Sequence, residues 1–238
     1  MEQISKNRIM ERSSIIIVKN LTHYFDTRPL FKNTSFEIEK GSFVFLIGDT
    51  GSGKSTLLKI LHGEIPPTAG ILDIDGFVIG KKKRHDLYKL RRKVAIIYQD
   101  FFLIEEISVE ENIILPLKCL GIRKQEQKKR LEIVLNILDL SKIKKERCSK
   151  LSGGEKQRVA IGRTIITNPS IILADEPTGS LDAKLTMRLM KIFRKLNDHG
   201  TTIILATHNL ELPKMIKNSQ VLKLQNHRLE YVKHELST

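Results

Sequence analysis

The stretch Gly48-Asp49-Thr50-Gly51-Ser52-Gly53-Lys54-Ser55 constrains this 238-residue chain more than any other. It fits G-x-x-x-x-G-K-[ST], a pattern with meaning only where a strand leads in and a helix leads out. Both contexts are present. Phe43 to Ile47 is an almost wholly apolar run, as expected of a strand buried on both faces. Lys54 to Leu61 then reads as a helix. The glycines let the backbone turn its N–H groups inward into a concave anion site. The helix starting near Lys54 aims the positive end of its dipole at the same spot. In such a cradle Lys54 would bridge the β- and γ-phosphates, Ser55 would hold Mg2+, and Thr56 would reach the α-phosphate.

A phosphate cradle does chemistry only with a group that holds the metal and another that activates water. Ile171-Ile172-Leu173-Ala174-Asp175-Glu176 supplies both, as an apolar strand with two carboxylates at its C-terminal edge. Ligands in open α/β sheets sit at that edge. Asp175 is the expected Mg2+-shell ligand. Glu176 is the expected general base for in-line attack of water on the γ-phosphate. A second small-residue turn enters a helix at Leu151-Ser152-Gly153-Gly154-Glu155-Lys156-Gln157-Arg158. It is another anion site, yet the phosphates already have a cradle in this chain. The simple resolution is that it binds the γ-phosphate held by a second copy, with the nucleotide at the seam.

The remainder of the chain reads as an α/β core interrupted by a helical insert. Short β-type runs lie at Ile15 to Val18, Phe36 to Ile38, Ile71 to Ile74 and Val94 to Tyr98. Residues 109–167 read as largely helical, with Leu131, Val134, Leu135 and Leu138 at three- and four-residue spacing. Pro116 is expected to kink or interrupt the first of these helices. Alternation then returns with strand Ile171 to Ala174, helix Ala183 to Leu196, strand Thr202 to Ala206 and a short helix after Asn209. Val221 to Leu224 and Leu229 to Val232 look like a terminal hairpin. Lys plus Arg total 41 against 27 Asp plus Glu, a net charge of +14 that favours an acidic partner. No aromatic-interleaved basic patch, helix-turn-helix or RNA-binding motif accompanies it, so no specific nucleic-acid partner is expected. Two cysteines, Cys119 and Cys148, make no disulfide framework and fit a reducing compartment. Residues 1–14 read as a frayed extension without a signal-peptide stretch, and no apolar run approaches the ~20 residues of a bilayer span. Any membrane role is expected to come through a partner.

Leu151 to Arg158 resembles the signature motif of the ATP-binding cassette (ABC) family, whose nucleotide-binding domains close head-to-tail around two ATP. The other motifs match in family order. Gln99 falls where the Q-loop glutamine sits, and Ser180-Leu181-Asp182 resembles the D-loop. Thr207-His208 makes His208 the switch histidine. Phe25 corresponds by offset to the aromatic that stacks on adenine, and the adjacent Tyr24 could serve. One departure is Asn209, where the family usually carries Asp; another is Lys156 in place of the common glutamine.

The resemblance implies an α/β fold: a P-loop NTPase (RecA-like) core with an N-terminal antiparallel β subdomain and an inserted α-helical subdomain. The core would span about 15–98 and 168–238, the insert about 99–167, after a flexible extension at 1–14. It implies ATP and Mg2+ as cofactors. Glu176, His208 and Gln99 would be catalytic, and Ser55, Gln99 and Asp175 would hold the metal. Tyr24, Phe25 and the loop Gly48, Asp49, Thr50, Gly51, Ser52, Gly53, Lys54, Ser55 and Thr56 would bind ATP. Ser152, Gly153, Gly154 and Glu155 would reach the ATP of the other copy.

Asp175 lies 121 positions after Lys54, which leaves no room for a long inserted coiled coil, and a single motif set argues against tandem-cassette translation factors, so the remaining branches of the family act on membranes through a permease. Leu90-Arg91-Arg92-Lys93-Val94 followed by Tyr98-Gln99-Asp100-Phe101-Phe102-Leu103 resembles the FtsE-type cell-division branch. So does Leu57-Leu58-Lys59-Ile60 leading into Pro67-Thr68-Ala69-Gly70. That branch implies an FtsX-like transmembrane partner and a homodimer at the cytoplasmic face of the bacterial plasma membrane. The LolD and MacB type of lipoprotein-releasing and exporting cassettes, which share the form of Asp175 to Asp182, is the alternative. Phe101, Phe102 and Leu103 form an apolar run in a predicted loop, expected either to dock the membrane partner or to anchor the loop to the insert. The run Lys81 to Arg84 reads as a solvated loop, or as a contact with anionic lipid head groups.

Overall fold

The computed structural model describes residues 14–79, 87–179 and 181–232. Ser180 of the expected D-loop, the basic run Lys81 to Arg84 and residues 1–13 of the expected extension lie outside the described residues. A long hairpin of β1 (Ser14–Phe25) and β2 (Arg28–Glu39) opens the fold, and β3 (Phe43–Ile47) leads into α1 (Lys54–Leu61). Strands β4 (Ala69–Ile74) and β5 (Phe77–Ile79) precede a short helix α2 (Leu87–Lys93) and β6 (Val94–Ile97). Three helices follow: α3 (Val109–Cys119), α4 (Lys124–Ile137) and α5 (Gly153–Ile165). The chain returns through β7 (Ile171–Asp175), α6 (Ala183–Asp198) and β8 (Thr202–Thr207) to the hairpin β9 (Gln220–Gln225) and β10 (Arg228–Val232).

Four of these strands make an antiparallel sheet in the order β2-β1-β4-β5. Six make the central sheet, β10-β9-β3-β8-β7-β6, parallel throughout except for the β9–β10 hairpin. The continuous apolar runs have a plain cause. Successive side chains of a strand point to opposite faces, and both faces of the central sheet are covered. Phe43, Phe45, Ile172, Ala174, Ile203 and Leu205 join the cluster with α3, α4, α5 and α6. Val44, Leu46, Ile171, Leu173, Ile204 and Ala206 join the cluster with α1 and the inner face of the antiparallel sheet. Each valine, leucine, isoleucine or phenylalanine among them, taken out of water, contributes ~1.5–3 kcal/mol. An exposed ion pair such as Arg130–Glu126, at 2.7 Å, is screened by water and contributes little beside that. The two apolar layers hold the molecule together.

Several elements differ from expectation. β1 and β2 run well past the apolar segments, because the hairpin pairs polar positions as far as Phe25↔Arg28, with register shifts near Leu21 and His23. α3 is not interrupted at Pro116 but continues to Cys119, where Leu120 N–H caps onto Pro116 O at 3.0 Å. The short helix after Asn209 is a single 3-10 turn at Pro213–Met215. α2 and β5 had no periodic signal; in α2 only Leu90 is buried.

Candidate active site

Strand order brings the chemistry together. β3, β8 and β7 are neighbours, with Ile47 opposite Thr207 and Asp175 opposite Ala206. Their C-terminal ends therefore release Gly48, His208 and Glu176 at one edge. β6 lies on the other side of β7 and delivers Gln99 to that edge, since Ile97 pairs with Ala174. A cleft of about 470 Å3 opens there, lined by Thr50, Lys54, Ser55, Gln99, Asp175, Glu176 and His208, among others.

The loop after β3 is shaped by close backbone approach. A Cβ at Gly48 would sit 2.7 Å from Leu224 O and 2.9 Å from Ser52 Oγ, so no larger residue fits there. Gly53 caps α1 with φ 107 and no side-chain cap bond, which leaves the first-turn N–H groups facing the loop. Lys54, only 7% exposed, curls back so that Nζ donates to Gly48 O at 2.7 Å and Asp49 O at 3.1 Å. The loop thus presents a buried lysine and exposed glycine backbone to the cleft.

Asp175 is buried at the end of β7. Burial pushes its carboxyl pKa up; a hydrogen bond from Ser55 and the charge of Lys54 pull the other way, and burial wins. Its Oδ1 is enclosed without a hydrogen-bond partner. A buried carboxylate oxygen left over beside a serine hydroxyl and facing the Gln99 amide across the same cleft is a set of hard oxygen donors suited to a divalent cation such as Mg2+.

Glu176 follows with φ +46, a left-handed conformation costing roughly 1–2 kcal/mol for a residue with a Cβ. The surroundings hold it there. Its N–H donates to Ala206 O at 3.0 Å, and its Oε2 accepts from Thr207 Oγ1 at 3.3 Å. His208 Nδ1 stands 2.9 Å from Oε1, within hydrogen-bond distance. Asn209 uses its side-chain Oδ1 to accept from Glu211 N–H at 2.9 Å, an Asx-type turn that aspartate would make equally.

The second glycine turn stands apart. Ser152, the N-cap of α5, forms a reciprocal capping box with Glu155. Its N–H and Oγ–H donate to Glu155 Oε2 at 2.8 and 2.7 Å, which holds the Glu155 carboxyl below its usual range. Ser152 and Gly153 are exposed, and neither lines the cleft, although Gln157 from the second turn of α5 does. One chain thus carries a cleft lined by charged and polar groups and a separate small-residue turn that faces outward. A family model described as ABC transporter matches residues 31–179.

The chain belongs to the ABC transporter family of ATP-binding cassettes. The cassette is 34% identical over 217 residues to the cell division ATP-binding protein FtsE of Streptococcus pneumoniae, across 91% of this chain and 94% of that protein. It is 38% identical over 212 residues to the lipoprotein-releasing system ATP-binding protein LolD of Aquifex aeolicus, across 89% and 95%. Among solved structures, the ATP-binding cassette MJ0796, a dimer in a post-hydrolysis state bound to ADP and Pi, matches with a TM-score of 0.83 at 33% identity. That match covers 90% of this chain and 96% of MJ0796.

Other expected site residues fall outside the cleft of the single cassette. Phe25 and Tyr24 are exposed at the end of β1, 67% and 43%. Leu181 approaches the signature turn, with Cδ2 3.6 Å from the position of a Gly154 Cβ. Asp182 caps α6 by accepting from Leu185 N–H at 2.8 Å. The residues after Gln99 line a second groove, with Phe101, Phe102, Leu103, Glu105 and Lys156. There the apolar run divides. Leu103 packs on the core cluster, whereas Phe102 is 61% exposed with its ring edge against Tyr98. Sequence reasoning missed Arg163, which binds this loop, and the Tyr98–Glu64 hydrogen bond beneath it. No spacing announces either, because each joins segments far apart in the chain.

Proposed function

We propose that this cassette, an ABC-type ATPase, is the engine of a membrane complex of the FtsE type. In this reading two copies close head-to-tail around two ATP and drive an FtsX-like transmembrane permease at the cytoplasmic face of the bacterial inner membrane. ATP-driven closure would be passed through that permease to cell-wall hydrolases during cell division. The observation that carries the head-to-tail part is the split site: the cleft contains a cradle, two carboxylates, an amide and an imidazole, while the Ser152–Gly154 turn faces outward from the same chain. We assign one nucleotide-binding domain, with its core at about 15–98 and 168–238 and the helical insert at about 99–167.

We assign the roles as follows, with the lining of the cleft as support. The N–H groups of the Gly48–Thr56 loop and the Lys54 ammonium hold the triphosphate; Phe25 or Tyr24 covers the adenine. Ser55, Asp175 and Gln99 are the residues that would hold Mg2+. When bound, that ion would supply positive charge that stabilises the transferring phosphoryl group. Glu176 takes a proton from water as its oxygen bonds to the γ-phosphorus in line with the departing ADP oxygen, so that ADP and phosphate result. His208 orients the Glu176 carboxylate, and Ser152, Gly153, Gly154 and Glu155 of the other copy, with Ser180, Leu181 and Asp182, complete the seam.

The identity to LolD favours a second reading, an ATPase subunit of a lipoprotein-releasing or exporting complex. Capture of the full-length chain from native membranes, followed by ATPase assay with the captured permease, separates the two. A short four-span permease that stimulates turnover supports the cell-division reading. A permease with a large extracytoplasmic domain and lipoprotein release overturns it in favour of the second.

A further inference from the structure

The turn that carries Gln99 is built against the backbone's preference. Phe101 and Phe102 have φ of 60 and 45, two bulky residues in succession in the left-handed region. Something has to hold them, and the structure shows what. Arg163, near the C-terminal end of α5, donates from one guanidinium nitrogen to Phe102 O at 2.7 Å and from the other to Phe101 O at 2.8 Å. Two consecutive carbonyls turned to one side match the planar two-nitrogen fork of a guanidinium, which lysine lacks.

The same helix holds the far end of the segment. Lys156 Nζ meets Glu105 Oε1 at 2.6 Å, and Lys156 and Arg163, seven residues apart, share one face of α5. Between these points the buried Asn112 side chain brackets Ile104, accepting from its N–H at 3.0 Å and donating to its O at 2.9 Å. Behind the turn, Tyr98 hydrogen-bonds Glu64 just after α1 and stacks edge-on with Phe102. The segment from Phe101 to Glu105 is thus fastened to α5, the helix that begins at the outward-facing Ser152 turn.

We propose that Arg163 is a positioning residue for ATP hydrolysis: its two bonds hold the left-handed turn that aims Gln99 into the cleft and tie that turn to the signature helix. The proposal rests on the reading of Gln99 as a residue of the reacting end of the site. It makes the groove loop and the signature turn one mechanical unit. Displacement of Phe102 from outside would move Gln99 of one site and Ser152 of the other together.

The test uses the full chain with Arg163→Lys, which keeps the charge and loses the fork, alone and in a Gln99→Ala background. Turnover is expected to fall about tenfold in Arg163→Lys with KM for ATP within about twofold. In the Gln99→Ala background the same change is expected to cost less than about twofold, because the residue it acts through is gone. Amide hydrogen exchange over residues 98–105 is expected to speed up while exchange over α1 is unchanged, a readout independent of turnover. Equal losses in both backgrounds, a rise in KM alone, or unaltered exchange over 98–105 would each overturn the proposal. Unchanged turnover in Gln99→Ala by itself would overturn the reading of Gln99, leaving the exchange measurement to decide the clamp. Arg163→Gln, one neutral donor in place of two, repeats the exchange test should the lysine variant misfold.

Discussion

Gly153 offers a clean separation of fold from function. It is the first residue of α5, it is exposed, and a Cβ built on it meets nothing within 4 Å. Its backbone is not left-handed, so Gly153→Leu carries no strain. Replacing a helical glycine by a residue with a side chain stabilises by about 0.5–1 kcal/mol. For a chain of this size that is an increase of roughly 1–4 °C in melting temperature. ATP affinity of the isolated cleft should be unchanged, because Gly153 does not line it. If the turn seats the phosphate of a partner's ATP, the leucine occupies that seat. Loss of one well-aimed phosphate donor alone costs about 100-fold in turnover, ~2.7 kcal/mol. Coupled ATPase assay, melting and nucleotide titration read the three quantities separately. Mixing then tests the head-to-tail arrangement. Combining inactive Gly153→Leu with inactive Glu176→Gln in equal amounts gives half mixed pairs, each with one undamaged site. Activity should return to about a quarter of parental. Parental turnover by Gly153→Leu, or no recovery on mixing, would refute the reasoning.

Two further outcomes are expected. Glu176→Gln keeps the shape of the residue and loses the base, so turnover should drop at least about 100-fold while ATP still binds; size-exclusion chromatography with ATP should show an accumulated pair, and hydrolysis at the parental rate would remove Glu176 from that role. His62, half-buried after α1, has its pKa pulled from 6.5 down to about 4 by burial, with Glu64 opposing from 3.7 Å. The folded state therefore holds it neutral, and its contribution is complete above the unfolded value and lost as pH falls from about 6.5 to 4, up to ~3 kcal/mol. His62→Leu should flatten the acid side of the urea-unfolding curve, and an equally steep loss in the variant would assign the effect elsewhere.

What was legible beforehand was whatever restricts side-chain type. Phe43–Ile47, Ile171–Ala174 and Thr202–Ala206 read as strands because both faces of the central sheet are covered, which demands apolar residues at every position. The Gly48–Ser55 loop read as a cradle because its glycines, lysine and serine fall in a fixed spacing between an apolar strand and a helix, and Asp175–Glu176 because carboxylates at a strand end are chemically conspicuous. The outer strands were harder. β1 runs on through Asn20, Thr22 and His23 because β2 and β4 pair with it, a tertiary cause without local pattern. Strand order was not encoded locally either, and it is the placement of β7 between β6 and β8 that brings Gln99, Glu176 and His208 to one edge.

The supports of the site were illegible for a different reason. Arg163 acts on the carbonyls of Phe101 and Phe102, Glu176 rests its N–H on Ala206 O, and Lys54 turns back on Gly48 and Asp49. Every residue has a carbonyl, so an interaction aimed at one places no demand on the sequence where it lands. The donor side chain is visible and its target is not. Residues that do chemistry should therefore be found from composition and spacing, while the residues that hold them in strained geometry emerge only when the backbone is folded around them.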